Sequence, residues 1–287
     1  MEDYKINGKA IYTPKGAALE YGRVGCNFYT GCPHDCGYCY LKRGIIAKQL
    51  GSKEVKLKKC FKDAGDAMTI FMKEVEKNID YLRKYGVFFS FTTDPLIIET
   101  RCLTFGALAH LVDKDVPVKL LTKNAGFVYD FRKYFANYPL GKLIDKISFG
   151  YTLTGRDDME MGASPNDRRI ESMRILHQDG FKTWASIEPV IDWDSSVEVV
   201  SASLEYCDHY KIGLRSGVGK DYYNPVVSTS VIIDLVNDIN FMHRTVYLKE
   251  SVRRLLQQTM THEAYNELMR KTVDMDGNPI TSLFYDI

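Results

Sequence analysis

The strongest constraint on the fold is an alternation. Short β-branched and aromatic runs recur at intervals of about 30 residues, separated by helix-length stretches with apolar residues three and four apart. The strand-like runs are 87–94 (VFFSFTTD), 116–123 (VPVKLLTK), 146–153 (KISFGYTL), 182–191 (KTWASIEPVI), 209–216 (HYKIGLRS) and 244–251 (RTVYLKES), with a further short one near 20–26. The clearest helices are expected over 67–86, 170–180 and 226–243. Ser164-Pro165-Asn166-Asp167 resembles an N-cap with proline at the first helical position, and Gly86 and Gly180 stand at C-cap positions. Strands alternating with helices predict an α/β fold, a partial or complete parallel (β/α) barrel of about six core βα units. An open doubly wound sheet is the alternative. In a barrel, the chemistry sits on loops at the C-terminal strand ends. Residues 1–251, with a loop at 26–40, are expected to form the core, and 252–287 a helix and polar tail packed on it.

The 287 residues suffice for a large core, with 45% hydrophobic and 26% charged residues as in an ordinary globular protein. A formal net charge of +1 argues against a dedicated nucleic-acid binder, though not against a local basic groove. The polar N-terminus carries no signal-peptide core, and no apolar run reaches the roughly 18 residues of a membrane span. A cytoplasmic location without membrane attachment is expected. Seven cysteines, an odd number in a reducing compartment, speak against a disulfide framework and for metal binding by the clustered ones.

Four of those cysteines fall in GCNFYTGCPHDCGYCYLKRG (25–44), where Cys32, Cys36 and Cys39 form C-x3-C-x2-C and Cys26 lies five intervening residues upstream. A structural zinc site takes four ligands, usually as two pairs, yet Cys60, Cys102 and Cys207 are isolated. A bacterial ferredoxin loop is spaced C-x2-C-x2-C. Three cysteines on one tight loop can hold three irons of a cubane cluster and leave the fourth open. Gly31 and Gly37 allow close approach of the backbone, and Tyr38 and Tyr40 flank the last cysteine. Cys26 reads as a buried thiol beside the loop, and His34 and Asp35 as supporting or exposed residues.

CPHDCGYCY resembles the C-x3-C-x-aromatic-C signature of radical S-adenosylmethionine (radical SAM) enzymes. The layout over about 20–250 is similar to the branch containing spore photoproduct lyase. This resemblance implies a [4Fe-4S] cluster on Cys32, Cys36 and Cys39, with the amino and carboxylate groups of S-adenosyl-L-methionine on the fourth iron. One electron from the cluster then cleaves that cofactor to methionine and a 5′-deoxyadenosyl radical, which abstracts hydrogen from a substrate. The substrate, a small molecule or nucleic acid, is not identified, and a reductant such as flavodoxin or ferredoxin is implied.

The same resemblance implies further cofactor contacts. Thr93 corresponds to a hydroxyl donor to the methionyl carboxylate, and Lys123 to a cation paired with it. Thr152 matches a serine near the cofactor. Arg168 or Arg169, with Arg169 preferred, anchors a carboxylate or phosphate. Ile187 and Glu188 lie where the family's backbone pairs with adenine, and Tyr38 and Tyr40 complete the set. The lyase's hydrogen-donor cysteine falls on Phe91, whose ring cannot donate hydrogen as a thiol does. Glu188, Lys249 or Glu250 could also meet substrate, as could Arg215, Lys220, Tyr222 and Tyr223 on a glycine-bearing loop. The alternatives are a photoproduct lyase-like repair enzyme, a non-catalytic zinc or iron–sulfur binding protein, and an electron carrier.

Overall fold

The computed structural model describes residues 4–281; residues 1–3 and 282–287, which include the end of the expected tail, lie outside the described residues. The chain divides into two compact units, one of residues 1–151 with 157–182 and one of 152–156 with 183–287.

The first unit contains strands β1 (Ile11–Tyr12), β2 (Gly25–Cys26), β3 (Tyr29–Thr30), β4 (Lys56–Leu57), β5 (Val87–Phe89), β6 (Val118–Thr122) and β7 (Ile147–Thr152). Strand β1 runs antiparallel to β2, and β2, β5, β6 and β7 then pair in parallel. β3 and β4 pair separately and antiparallel. Strand β5 is buried along its whole length, as parallel strands covered on both faces are. An aromatic cluster joins helix and sheet in this unit: Phe131 of the helix Val128–Tyr134 packs against Phe149 of β7 and against Phe181, with ring centroids 5.1 and 5.6 Å apart in edge-on geometry.

The second unit contains β8 (Lys182–Val190), β9 (His209–Leu214) and β10 (Thr245–Leu248), all parallel. Helices Trp193–Ser203, Pro225–Phe241, Glu250–Leu256 and His262–Arg270 follow or separate them. All six expected strands are present, and the seventh is the two-residue β2. The fold is α/β with a mostly parallel sheet, of the partial (β/α) barrel class. Among the described residues, no helix is long and apolar enough to cross a membrane.

Several boundaries differ from the expectation. The strand at 87–94 ends at Phe89, because the following residues bond to a neighbouring loop: Phe91 N–H donates to Asn27 Oδ1 (2.8 Å) and the Thr92 hydroxyl to the Tyr29 carbonyl (2.6 Å). The helix at 67–86 is two helices, Ala64–Lys77 and Ile79–Tyr85, broken at Asn78. The Asn78 amide donates to the Glu74 carbonyl at 2.7 Å, and its Oδ1 accepts from Tyr4 OH at 2.7 Å. Such side-chain competition for backbone groups is why asparagine ends helices. Ser164 is not a cap. Its hydroxyl accepts from Ala125 N–H (2.9 Å), while Asp157 Oδ1 takes the first-turn N–H of Asn166 (2.9 Å). The segment after 251 holds a second helix, His262–Arg270, whose cap is the Thr261 hydroxyl.

Candidate active site

The cysteine loop follows β2 and β3, and three elements of the first unit hold it. Its start lies on 52–54: Cys32 N–H donates to the Ser52 carbonyl at 2.9 Å. Gly31 makes that approach possible, since φ is +83° and a Cβ would come within 2.1 Å of the Glu54 carbonyl oxygen. Its far side lies on 159–162. Gly37 N–H donates to the Met159 carbonyl (2.8 Å) and Gly162 N–H to the His34 carbonyl (2.9 Å).

The third support is His34, which the sequence leaves between a supporting and an exposed role and the structure makes supporting. It is buried; its Nδ1 lies 3.0 Å from the Gly162 carbonyl and its Nε2 2.7 Å from Asp94 Oδ2. Asp94 is a buried hub just past the end of β5. Its carboxylate also accepts from the Thr122 hydroxyl (2.8 Å), Lys123 N–H (2.7 Å) and Leu96 N–H (2.9 Å). Burial alone pushes this carboxyl up. The hydrogen bond and charge of His34, with the two backbone N–H groups, outweigh burial and hold it below the usual aspartate range. One side chain thus ties the cysteine loop to the C-terminal ends of β5 and β6.

Asp94→Asn is expected to cost about 2 kcal/mol at neutral pH. A carboxyl whose folded pKa is depressed contributes stability that is complete above about pH 4 and is lost as the pH falls through the folded value. Urea titrations should show the acid limb flattened in Asp94→Asn, and an unchanged limb would contradict the hub.

Cys32, Cys36 and Cys39 line one depression, together with His34, Leu41 and Ser52. Burial pushes the Cys32 thiol up to about 12 and raises Cys36, although the nearby Lys123 ammonium works the other way on both. Backbone N–H groups of His34 and Asp94 also face the Cys32 sulfur. Lys123 is partly buried, and its ammonium lies 5.6 Å from the centroid of the Tyr38 ring. Desolvation works against its charge, but Cys36 and the Glu160 carboxylate more than offset that and raise its pKa. The Thr93 hydroxyl, next to Asp94, is buried without a hydrogen-bond partner among the described residues.

Behind the loop lies a closed charge network. The Tyr38 hydroxyl donates to Glu160 Oε1, and Glu160 Oε2 lies 2.7 Å from Arg169 Nη2, with both charged side chains fully buried. Arg169 Nε also donates to the Ser164 carbonyl at 2.6 Å. Burial and the Glu160 charge hold the Tyr38 hydroxyl protonated well above its ordinary pKa. Arg169 therefore braces the loop through Glu160 and Tyr38, while Arg168 is exposed at the helix start. Tyr40 is exposed and donates to the Phe91 carbonyl. The Phe91 ring packs on Phe88 with centroids 4.7 Å apart.

Cys26 is fully buried in β2 beside Phe89 of β5, the burial the sequence analysis expects of it. Cys60 and Cys102 are exposed, and Cys207 is buried in the second unit. Among the described residues, no three His, Cys, Asp or Glu side chains converge on a single metal ion. A cubane cluster makes a different demand, one thiolate to each of three irons. Three thiols around one depression, a cation beside them and a buried hydroxyl without a partner fit such a group and a carboxylate-bearing ligand.

Thr152, the last residue of β7, falls in the second unit together with Ile187 and Glu188. Thr152 is buried, and Leu153 N–H donates to the Ser186 carbonyl at 3.0 Å. The Ile187 side chain is buried in β8, which leaves its backbone for any polar contact. The β8–β9 register pairs Ile187 with Ile212 and Val190 with Leu214, so Glu188 and Pro189 together oppose Gly213 in a β-bulge. Lys249 Nζ donates to Glu188 Oε2 at 2.6 Å. Glu250 instead pairs with Arg253 and Arg254 of its own helix. Tyr222 and Tyr223 donate their hydroxyls to the Ile191 and Val190 carbonyls.

No family model matches the chain. An uncharacterized protein of Methanocaldococcus jannaschii is 21% identical over 210 residues, which cover 67% of this chain and 68% of that protein. Among solved structures, Streptococcus suis SuiB bound to S-adenosylmethionine matches with a TM-score of 0.51 at 12% identity, covering 82% of this chain and 52% of SuiB. SuiB bound to precursor peptide SuiA matches with a TM-score of 0.54 at 12% identity, covering 82% and 50%. The chain thus spans about half the length of SuiB and shares its fold across 82% of its own residues.

Proposed function

We propose that the chain is a radical SAM enzyme, with a [4Fe-4S] cluster on Cys32, Cys36 and Cys39 and S-adenosyl-L-methionine as cofactor. The observation that carries this reading is the lining of one depression by those three thiols, with Lys123 charged beside them and the Thr93 hydroxyl without a partner. The fold shared with SuiB, which binds S-adenosylmethionine, supports it.

Cys32, Cys36 and Cys39 would hold the cluster, which when bound would supply one-electron reductive cleavage of S-adenosylmethionine and so hydrogen-abstraction chemistry on a substrate. The chain's own residues bind and orient. The three thiolates hold the cluster, and Lys123 offers a point charge to the methionyl carboxylate. Thr93 donates its free hydroxyl to the same group. His34, Asp94, Tyr38, Glu160 and Arg169 fix the loop, so the ligands need little rearrangement. Thr152, Ile187 and Glu188 are proposed cofactor contacts of the second unit, with Ile187 acting through its backbone. Tyr40 is a proposed contact at the exposed edge of the loop.

A reducing compartment such as the cytoplasm and a flavodoxin- or ferredoxin-like reductant complete the reading. The lyase-like branch remains a similarity of layout, because Phe91 stands at the hydrogen-donor position and is packed on Phe88.

Lys123→Met is expected to weaken S-adenosylmethionine binding at least about 10-fold, the loss of one charge-assisted contact. Iron content should stay at the wild-type level. Equilibrium dialysis with the labelled cofactor reads the first and iron assay the second. Unchanged affinity removes Lys123 from the site.

A further inference from the structure

The cysteine loop opens a basic segment. Residues 32–59 hold seven lysine or arginine side chains against two acidic ones, Asp35 and Glu54, a net charge of +5. The other 259 residues hold 31 basic side chains against 35 acidic ones, a net charge of −4. The +1 of the whole chain thus conceals a basic stretch in an acidic remainder. Ion pairs within the stretch are already in this sum: Lys42 and Lys53 both pair with Asp35, and Lys56 lies 2.7 Å from Glu54. Lys48, Lys53, Lys56 and Lys59 are exposed.

The fold lays this stretch against the thiols. Asp35, Lys42, Leu50, Gly51 and Ser52 line the same depression as Cys32, Cys36 and Cys39. Cys32 N–H donates to the Ser52 carbonyl at 2.9 Å, and the β3–β4 register sets Lys56 opposite Thr30, two residues before Cys32. Between Lys42 and Lys48 the chain leaves Ile45 90% exposed and Ile46 43% exposed. Apolar side chains within a charged rim are the make-up of a protein interface, where the apolar part loses water and the charges steer the encounter.

Clustered like charge costs self-repulsion, and its summed field attracts anionic macromolecules. The depression decides which kind. Electron transfer weakens steeply with distance, so a carrier that docks beside the three thiols gains most from this position. A nucleic acid would gain only phosphate contacts here. We infer that residues 32–59 form the docking surface of an acidic protein that donates single electrons. The donor loses one electron and the group held by Cys32, Cys36 and Cys39 gains it, with no bond made or broken between the proteins. The electron-transfer step rests on the function proposed above, and the docking itself does not.

The test takes a flavodoxin, an acidic one-electron carrier, as probe and follows its fluorescence anisotropy as the chain is added. Saturable binding is expected at about 50 mM salt, and at least about 10-fold weaker binding at about 300 mM, as screening shortens the field. Lys48→Glu with Lys56→Glu should weaken binding at least about 10-fold. Lys133→Glu with Lys142→Glu makes the same change of net charge at exposed positions of the helices Val128–Tyr134 and Leu140–Lys146, and should change binding less than about twofold. Both double variants should keep wild-type iron after reconstitution and the wild-type rate of reduction by photoreduced 5-deazariboflavin, a small uncharged donor. Reduction by flavodoxin should slow only in the first. Ile45→Ser should weaken binding severalfold while keeping its salt dependence, and it carries the test if the charge-reversed chain fails to fold. No saturable binding at low salt, binding indifferent to salt, or equal weakening by the two double variants overturns the surface. So does a DNA duplex that binds more tightly than flavodoxin and is lost with Lys48 and Lys56, which marks a nucleic-acid surface instead. A chain that binds flavodoxin as expected yet makes no 5′-deoxyadenosine after deazariboflavin reduction overturns the proposed function and not the surface, so the two ideas fail separately.

Discussion

Replacing Cys32, Cys36 or Cys39 by alanine is expected to abolish cluster assembly, while Cys26→Ala leaves it intact. Each of the three supplies the sole protein ligand of one iron under this account, and no spare thiol lines the depression. After anaerobic reconstitution, iron in each of the three variants should fall to background. 5′-Deoxyadenosine formation should fall by a factor of at least about 10³, the scale of losing a component that acts as part of a unit. Cys26 is fully buried between β1 and β5, and burial raises its thiol pKa well above the ordinary value. Its removal should cost about 1 kcal/mol of packing and no iron. If Cys26→Ala alone emptied the protein of iron while one of the three proved dispensable, the ligand set would be wrong.

Glu160→Gln is expected to be the most destabilising single change outside the thiols. The Glu160–Arg169 pair is fully buried; the Tyr38 hydroxyl donates to Glu160 and Arg169 Nε donates to the Ser164 carbonyl. Removing one partner strands a buried guanidinium, which costs about 3–5 kcal/mol. The effect should reach the cluster as well, because Tyr38 lies within the cysteine loop and Glu160 next to Met159, which holds Gly37. Urea unfolding should show the stability loss, and reconstituted iron should be labile to chelator. The paired substitution Glu160→Met with Arg169→Met should recover most of the stability, since apolar replacement of a whole buried pair is often neutral. It should not restore chelator resistance, because Tyr38 stays unanchored. A loss below about 1 kcal/mol would mean that the pair is not closed as described.

The sequence reads well wherever the information is local. The spacing of Cys32, Cys36 and Cys39 identifies the loop, and period and turn residues locate the parallel strands. Gly86 and Gly180 mark helix ends, with φ of +72° and +91°. What it hides depends on partners far along the chain. His34 meets Asp94 across 60 residues, and Tyr38 meets Glu160 across 122. No periodicity links such pairs. Arg169 has the charge of a ligand-binding residue, and only burial reveals its bond to Glu160. The strand at 87–94 reads too long because its apolar pattern continues past Phe89, while hydrogen bonds to Asn27 and Tyr29 draw the backbone away. The Glu188 bulge had a local signal in Pro189, which cannot donate to a ladder. Its consequence, a carboxylate crossing Gly213 to Lys249, needed the register of three strands.

The most direct measurement is product formation by the anaerobically reconstituted full chain, reduced and incubated with S-adenosylmethionine, with deuterated candidate substrates added in parallel. The account predicts absorbance near about 400 nm from the iron–sulfur cluster, 5′-deoxyadenosine and methionine in equal amounts, and deuterium in the 5′-deoxyadenosine when the right substrate is present. A chain that takes up zinc alone, or that carries its full iron and sulfide yet forms no 5′-deoxyadenosine, would contradict it.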